Sequence, residues 1–414
     1  MKTRKIFVGL ALVCGLAVSS CSKYQTDMPK EREDIILTKT QQAVLDKGNG
    51  FAIDLFREMC AENGYENLFI SPLSATLALS AVTNGAAGQT MEDMKAALGF
   101  GSFNLEDMNV FYKTLIPALK DVDNTVKLQI ANAAWIKQGF AVETPFINAL
   151  TNYYDASVRE LDFSSPAAVE AINQWCADNT NNLIKEIINE IDPNARMFYT
   201  NALYYKGQWT NKFKKEDNYK GPFTCYDKTL AEATYMRQTS GLNCYKAQDV
   251  AIAEFPYGNE AFSMVVVLPD EGVSVFEVAS RLTLDEWNGW LSALSKREVE
   301  VQFPKFKVEY DTEDKLFPVL SRMGMGVAFD PDRADFSNIS KLEDLYIALI
   351  KQKAYVEVDE QGTEAAAVTI IGFNITSAGP GNTFAFHMNR PFLYFIREKS
   401  TGAILFSGLM SKMP

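Results

Sequence analysis

The chain has 414 residues, 47% of them hydrophobic and 22% charged, with a formal charge of −12 and a single histidine. Apolar material is ample for a sizeable core, and length alone permits one large domain or about two to three ordinary ones. The acidic balance argues against a nucleic-acid backbone or an anionic membrane surface as partner, and its plainer meaning is solubility.

In chain order, the first element is a targeting segment. Lys2, Arg4 and Lys5 precede an apolar run from Ile6 to Val18, too short and wrongly flanked for a stable spanning helix. The run ends in Val18-Ser19-Ser20-Cys21, which resembles the bacterial lipobox. On that resemblance, residues 1–20 are a signal peptide and Cys21 is the lipidated first residue of an exported envelope lipoprotein, in the outer membrane or at the cell surface. The plain alternative is an ordinary cleaved signal with an incidental cysteine. Ser22 to about Glu33 is polar and charged, so residues 21–40 are expected to form the lipidated N-terminus and a flexible tether. The domain itself is expected over 41–414, with no linker dividing it. Cys60, Cys176, Cys225 and Cys244 are too few and too widely spaced for a disulfide framework, and only a Cys225–Cys244 bridge stays open.

Helical spacing predicts a helix over Gln41–Glu62, with Val44, Leu45, Phe51, Ile53, Leu55 and Phe56 on its apolar side. A second begins at Ser71-Pro72-Leu73-Ser74, a third covers Met91–Leu98, and Pro166–Ile191 reads as another. Strands are predicted over Val126–Ile136, Met197–Tyr205, Ala251–Phe255, Phe262–Leu268, Val299–Val308 and Tyr355–Val358. Phe384–Met388, Phe392–Arg397 and Ile404–Met410 complete the list, and Pro269-Asp270-Glu271-Gly272 is a turn. Helices early and strands late, without regular alternation, indicate an α+β domain.

Signals for catalysis fail one after another. A nucleophile–base pair would have to use His387, yet no G-x-S-x-G surrounds a serine and H-E-x-x-H is absent. His387 in Phe386-His387-Met388 reads as a strand residue. Gly324-Met325-Gly326 lacks the third glycine of a dinucleotide fingerprint. Asp330-Pro331-Asp332 begins like a calcium loop, but Ala334 and Asp335 stand where an oxygen ligand and the turn glycine belong. The residues describe a protein that is not an enzyme and needs no cofactor or metal.

The stretch that does point to function is Val358-Asp359-Glu360-Gln361-Gly362-Thr363-Glu364-Ala365-Ala366-Ala367-Val368-Thr369. If it becomes a strand, one face carries Thr363, Ala365, Ala367 and Thr369, all small and uncharged. The other carries Glu364, Ala366, Val368 and Ile370, so Glu364 stays in water. Only one register permits burial. A flexible alanine-containing linker, the bland alternative, would not demand this separation by face.

Several segments, weak alone, together resemble the serpin family of protease inhibitors over roughly residues 41–414. They are Asn67-Leu68-Phe69-Ile70-Ser71-Pro72-Leu73-Ser74, Asn201 to Trp209, Leu268 to Gly272, Phe303 to Phe306, Ala334 to Ser337, the stretch above, and Phe386 to Phe392. The resemblance implies a single domain of three β-sheets and about nine helices, monomeric, with an exposed reactive-centre loop over about residues 360–383. It implies suicide inhibition, in which a protease cleaves the loop, is held as an acyl-enzyme, and is carried along as the loop inserts into the central sheet.

Residue roles follow from matching positions. Gly362 is the hinge pivot, with Thr363, Ala365, Ala367 and Thr369 as buried insertion positions. Ser71, Ser74 and Asn201 form the shutter beneath the sheet, Trp209 lines the breach where insertion starts, and Lys305 pairs with Glu360 there. The plainer readings are a core aromatic for Trp209 and a minor surface pair for Lys305–Glu360. Two positions depart from the family. Gln352 replaces the usual shutter histidine, keeping hydrogen bonding but losing titration, and Val368 replaces a smaller residue on the outward face. Family spacing puts the scissile bond between Thr376 and Ser377, which suits an elastase-like serine protease. Ile375 would suit papain-like cysteine proteases, and a register shift to Phe373-Asn374 a chymotrypsin-like one; Ile371–Ala378 is the window. A non-inhibitory binding module or protease decoy is the runner-up, disfavoured by the small-residue hinge. An envelope hydrolase lacks its nucleophile and base.

Overall fold

The computed structural model describes residues 30–342, 344–363 and 383–414. The calls on Cys21 and the signal peptide, on Ala365, Ala367 and Thr369, and on Phe373, Asn374, Thr376 and Ser377 lie outside the described residues.

Thr38 accepts the backbone N–H of Gln41 while the Gln41 side chain accepts that of Thr38, and this capping box starts α1 (Lys39–Glu62). The chain before it does not hang free. Lys30 N–H donates to Asn124 and Ile35 N–H to Ser400, so the expected tether is docked on the domain from Lys30 onward. After β1 (Leu68–Ile70), Ser71 caps α2 (Pro72–Thr83), whose first-turn proline has no N–H to leave unpaired. Then follow α3 (Gly88–Ala97), α4 (Leu105–Asp121), β2 (Lys127–Lys137), α5 (Thr144–Tyr153), β3 (Ala156–Leu161) and α6 (Pro166–Asn179). The helix expected to reach Ile191 stops at Asn179. Asn181 and Asn182 adopt left-handed backbones (φ 52° and 60°), which asparagine tolerates and a helix does not.

The β-rich half runs β4 (Met197–Gln208), β5 (Tyr219–Thr224), β6 (Leu230–Lys246), β7 (Val250–Tyr257) and β8 (Phe262–Pro269). Two helices, α7 (Val275–Arg281) and α8 (Leu284–Ala293), lead to β9 (Ser295–Pro304), β10 (Phe306–Asp311) and α9 (Leu316–Leu320). The final strands are β11 (Lys353–Val358), β12 (Gly362–Thr363), β13 (Phe384–His387), β14 (Phe392–Glu398) and β15 (Ile404–Met410). The single strand expected over Val299–Val308 is thus two strands, and they belong to different sheets. Lys305 is the corner between them, its N–H turned to Thr234 O.

Strands join in two hydrogen-bonded networks. One has the order β10-β11-β12-β4-β2-β3; the other has nine strands. The larger divides at β6. The first part of β6 pairs with β5 and β9, and only Asn243–Lys246 reach β7, which leads on to β8, β14, β15 and β1. Strand grouping is therefore threefold. The main core lies between the six-stranded sheet and the β7-β8-β14-β15 layer, with α1 and α2 packed in. A separate small core of Trp135, Ile172, Trp175 and Ala202 fixes α6 to the other face of the six-stranded sheet.

Candidate functional site

In the six-stranded sheet, β12 stands between β11 and β4 but is only two residues long. Val358 pairs with Thr363 on one side; Gly362 and Thr363 pair with Gln208 and Gly207 on the other. Among the described residues, β11 and β4 share no ladder of their own. The sheet is therefore two separate ladders bridged at one end by the start of a strand. Backbone N–H and C=O groups are obligatory hydrogen-bonding groups, so a seam of this kind is a place where a further strand can pair on both sides.

The bridge is built by a tight turn. Asp359 and Gly362 exchange backbone hydrogen bonds, and the Asp359 carboxylate accepts the N–H groups of Gln361 and Gly362. Burial raises the Asp359 carboxyl above its ordinary range, the neighbouring Glu360 charge adding to it, and those two N–H donors only partly offset this. Gly362 has φ of +150°, and a Cβ there would stand 2.0 Å from Gly207 O. Only glycine fits so close to a neighbouring backbone.

Around the turn, the breach residues converge. Trp209 donates its backbone N–H to Gln361 O (2.8 Å) and its indole N–H to Asp359 O (2.9 Å). Lys305 Nζ lies 3.0 and 2.9 Å from the two Glu360 oxygens, and Asn218 donates to the same carboxylate. The Glu360 side chain is 8% exposed. Burial pushes its carboxyl up, but the bonds from Lys305, its own backbone and Asn218 together hold it below the usual range.

Thr363 points inward. It is 2% exposed, and its Oγ1 lies 2.6 Å from the hydroxyl of Tyr257, itself fully buried at the end of β7. Burial moves the Tyr257 phenol well above its ordinary pKa, so it stays neutral. Tyr257 stacks on Trp209 with centroids 4.4 Å apart at 13° and meets Tyr205 edge-on at 5.3 Å.

At the other end of the seam, Gln352 gives and takes one bond with the backbone of Ser71. Ser71 N–H donates to Oε1 (2.8 Å), and Nε2 donates to Ser71 O (2.9 Å). Ser71 Oγ in turn accepts Ser74 N–H and donates to Leu405 O. Ser71, Ser74 and Gln352 are thus one cluster. Among the described residues Asn201 is not bonded to it: its Nδ2 donates to Asn132 Oδ1 (2.7 Å) on β2, and its side-chain Oδ1 is buried without a partner.

Three contributors were not singled out from the sequence. Tyr257 follows Pro256 in another sheet and carries no local sign of contact with the turn. Gly207 sits inside the Asn201–Trp209 segment and was readable as the one residue without a side chain opposite the hinge. Asn218 has no signal. His387 lies on β13 with Nε2 3.1 Å from Glu300 Oε1. The four described cysteines are free and buried, so no Cys225–Cys244 bridge is present.

A family model described as Serpin (serine protease inhibitor) matches residues 46–413. Iripin-2 of Ixodes ricinus is 33% identical over 381 residues, covering 90% of this chain and 94% of that protein. A leukocyte elastase inhibitor of Xenopus tropicalis is 32% identical over 372 residues, covering 87% and 97%. Among solved structures, the thermophilic serpin tengpin in its native state superposes with a TM-score of 0.81 at 31% identity, over 93% of this chain and 97% of that one. Tengpin in its latent state gives 0.77 at 29% identity, over 92% and 100%.

Proposed function

Because the chain belongs to the serpin family, we propose that it is a suicide inhibitor of endopeptidases that traps its target by inserting its cleaved loop at the β11–β4 seam. The observation that carries this reading is β12 itself, a strand begun between two ladders and leading directly into the loop. Continuing both registers from Thr363 would set Ala365 opposite Tyr205 and Val356, and Ala367 opposite Leu203 and Ala354. Thr369 would then stand opposite Asn201 and Gln352. Val356 and Ala354 face the core, 1% and 5% exposed, so the inserted residues on that face must be small and uncharged, as these are. Strand pairing on both sides, absent before cleavage, supplies the driving force.

In the chemical step, the protease's serine hydroxyl attacks the carbonyl of Thr376. An ester forms, the peptide bond breaks, and the serine's proton passes through the protease's base to the amine of Ser377. Insertion then competes with hydrolysis of the ester. Thr376 preceded by Ile375 favours an elastase-like target, and the relative named for leukocyte elastase supports that class. Papain-like and chymotrypsin-like enzymes are the next candidates. The protein acts as a monomer exported to the cell envelope, held there by a lipid on Cys21.

The test incubates the mature protein with elastase-like, chymotrypsin-like, trypsin-like and papain-like proteases. An SDS-stable complex with a serine protease, and a released C-terminal peptide whose mass begins at Ser377, are expected. Cleavage without any complex or loss of protease activity would refute the reading and leave a decoy.

A further inference from the structure

Among the described residues, Tyr257 supplies a buried hydroxyl from outside the loop and its two flanking strands that bonds the loop's first inserted residue. Its position is over-determined by other contacts. The ring is stacked on Trp209 and braced by Tyr205, and its backbone is fixed in the β7–β8 ladder opposite Phe262. Thr363, by contrast, is the second residue of the two-residue β12, paired with Val358 on one side and Gly207 on the other. Position is therefore imposed by the tyrosine on the threonine and not the reverse.

The energetics give the contact a direction. Both oxygens are buried, so each satisfies the other, and withdrawing Thr363 from the seam would strand the tyrosine hydroxyl in the core without a partner. An unmade buried hydrogen bond costs more than the bond's net worth when made. The phenol remains neutral and can donate at every pH at which proteases work, as burial keeps its proton on. The bond thus acts as a catch that favours the state with insertion already started.

We infer that Tyr257 is a positioning residue for inhibition: it seats Thr363 before cleavage and so sets how many protease encounters end in a trapped complex instead of a cleaved inhibitor. The inference rests on the inhibitor reading above. After acylation, insertion races ester hydrolysis, and a loop that is already registered at Thr363 does not have to find its first pairing. The contact does not touch the scissile bond, so it should leave recognition and cleavage alone and act only on partition.

The experiment measures the stoichiometry of inhibition, the cleavage rate and the melting temperature for wild type, Tyr257→Phe, Thr363→Val, the double variant and Thr363→Ser. Removal of either hydroxyl is expected to raise the ratio of cleaved to trapped inhibitor (the stoichiometry minus one) about two- to ten-fold, the range that one hydrogen bond carries, with the cleavage rate unchanged. The double variant should be no worse than the worse single one, and Thr363→Ser should restore partition. If Tyr257→Phe fails to fold, Thr363→Val alone decides, because it alters only the hinge. Wild type that forms complexes whose yield neither single variant changes overturns the inference and leaves the inhibitor reading standing. Additive losses in the double variant also overturn it, since they deny a shared bond. Wild type that forms no complex with any protease overturns both.

Discussion

Gly362→Ala should convert the inhibitor into a substrate while leaving the domain folded. The added Cβ would stand 2.0 Å from Gly207 O, 2.7 Å from Gln208 Cα and 2.9 Å from Gly207 C. All three are backbone atoms of β4, one and two residues beyond Lys206 where the ladder with β2 ends, and cannot swing aside like the end of a side chain. Ordinary contact would need β12 to move off β4 by about 1 Å or more, which is enough to break their cross-strand hydrogen bonds. The φ of +150° adds strain for any residue with a Cβ, about 1–2 kcal/mol. Lifting β12 out relieves both problems at the loss of one or two hydrogen bonds, about 1 kcal/mol each. A bias near 2 kcal/mol reduces the seated hinge about 30-fold, yet in a domain of this size it moves the melt by only a few degrees. The assay is titration of an elastase-like protease, with complexes counted on a denaturing gel and a thermal melt run beside it. The expected result is rapid cleavage, few or no complexes and a melt within a few degrees of wild type. An alanine variant with wild-type stoichiometry would show that the β12 seat has no part in trapping.

Other outcomes follow from neighbouring contacts. Lys305→Met leaves Glu360, 8% exposed, with Asn218 as its remaining side-chain donor; a loss of about 1–3 kcal/mol is expected by chemical unfolding, at the low end because Lys305 is 34% exposed. Gln352→Ala strands the N–H of buried Ser71, whose C=O keeps the N–H of Ala75, and should lower the melting temperature at a cost of about 1–3 kcal/mol. With glutamine there, the wild-type rate of trapping, corrected for the protease's own titration, should not respond to protonation of the shutter. Glu254 is buried, which raises its carboxyl, but Arg397 (2.7 Å) and Lys399 (3.4 Å), with bonds from Asn243 and Arg397, bring it down to about 2. A lowered folded-state pKa means its contribution is complete above the usual 4.5 and fades as pH falls toward 2. Glu254→Gln should therefore cost up to about 3 kcal/mol at pH 7 and flatten the acid limb of a urea-unfolding series, whereas parallel wild-type and variant curves would contradict the assignment.

What could be read from the residues was what repeats locally. The period-two arrangement of Thr363 with Ala365, Ala367 and Thr369 needs no tertiary information, and the inward side of Thr363 in β12 has the parity that this arrangement requires. The α1 boundary was readable for the same reason, since Thr38 and Gln41 form a cap from three residues' spacing. The α4 helix also offered a local signal in Met108, Phe111, Tyr112, Leu115, Ile116 and Leu119, but Pro117 inside it reads as a breaker. The 17-residue β6 had almost none, because Ala233, Tyr235, Met236, Leu242 and Cys244 are buried at irregular spacing among exposed and half-buried residues and the strand takes its course from three different partner strands.

Harder still were contacts made by chain crossing. Pro304-Lys305 looked like the middle of one strand because both flanks are β-formers, yet it is the corner at which the chain leaves one sheet for the other. That crossing is also what places the Lys305 ammonium against Glu360, 55 residues later. Tyr257 is the extreme case, 106 residues from the threonine it holds and in the opposite sheet. The loop's small-residue face tells that a strand can enter. On the proposed insertion reading, entry begins at groups whose sequence neighbours say nothing about it: a glycine pair in adjacent strands, a tryptophan that bonds the turn's backbone, and a tyrosine from behind. On that reading, the hinge is a property of two sheets meeting. Substitutions that preserve the hinge motif but alter Tyr257 or Gly207 should change inhibition while leaving the motif intact.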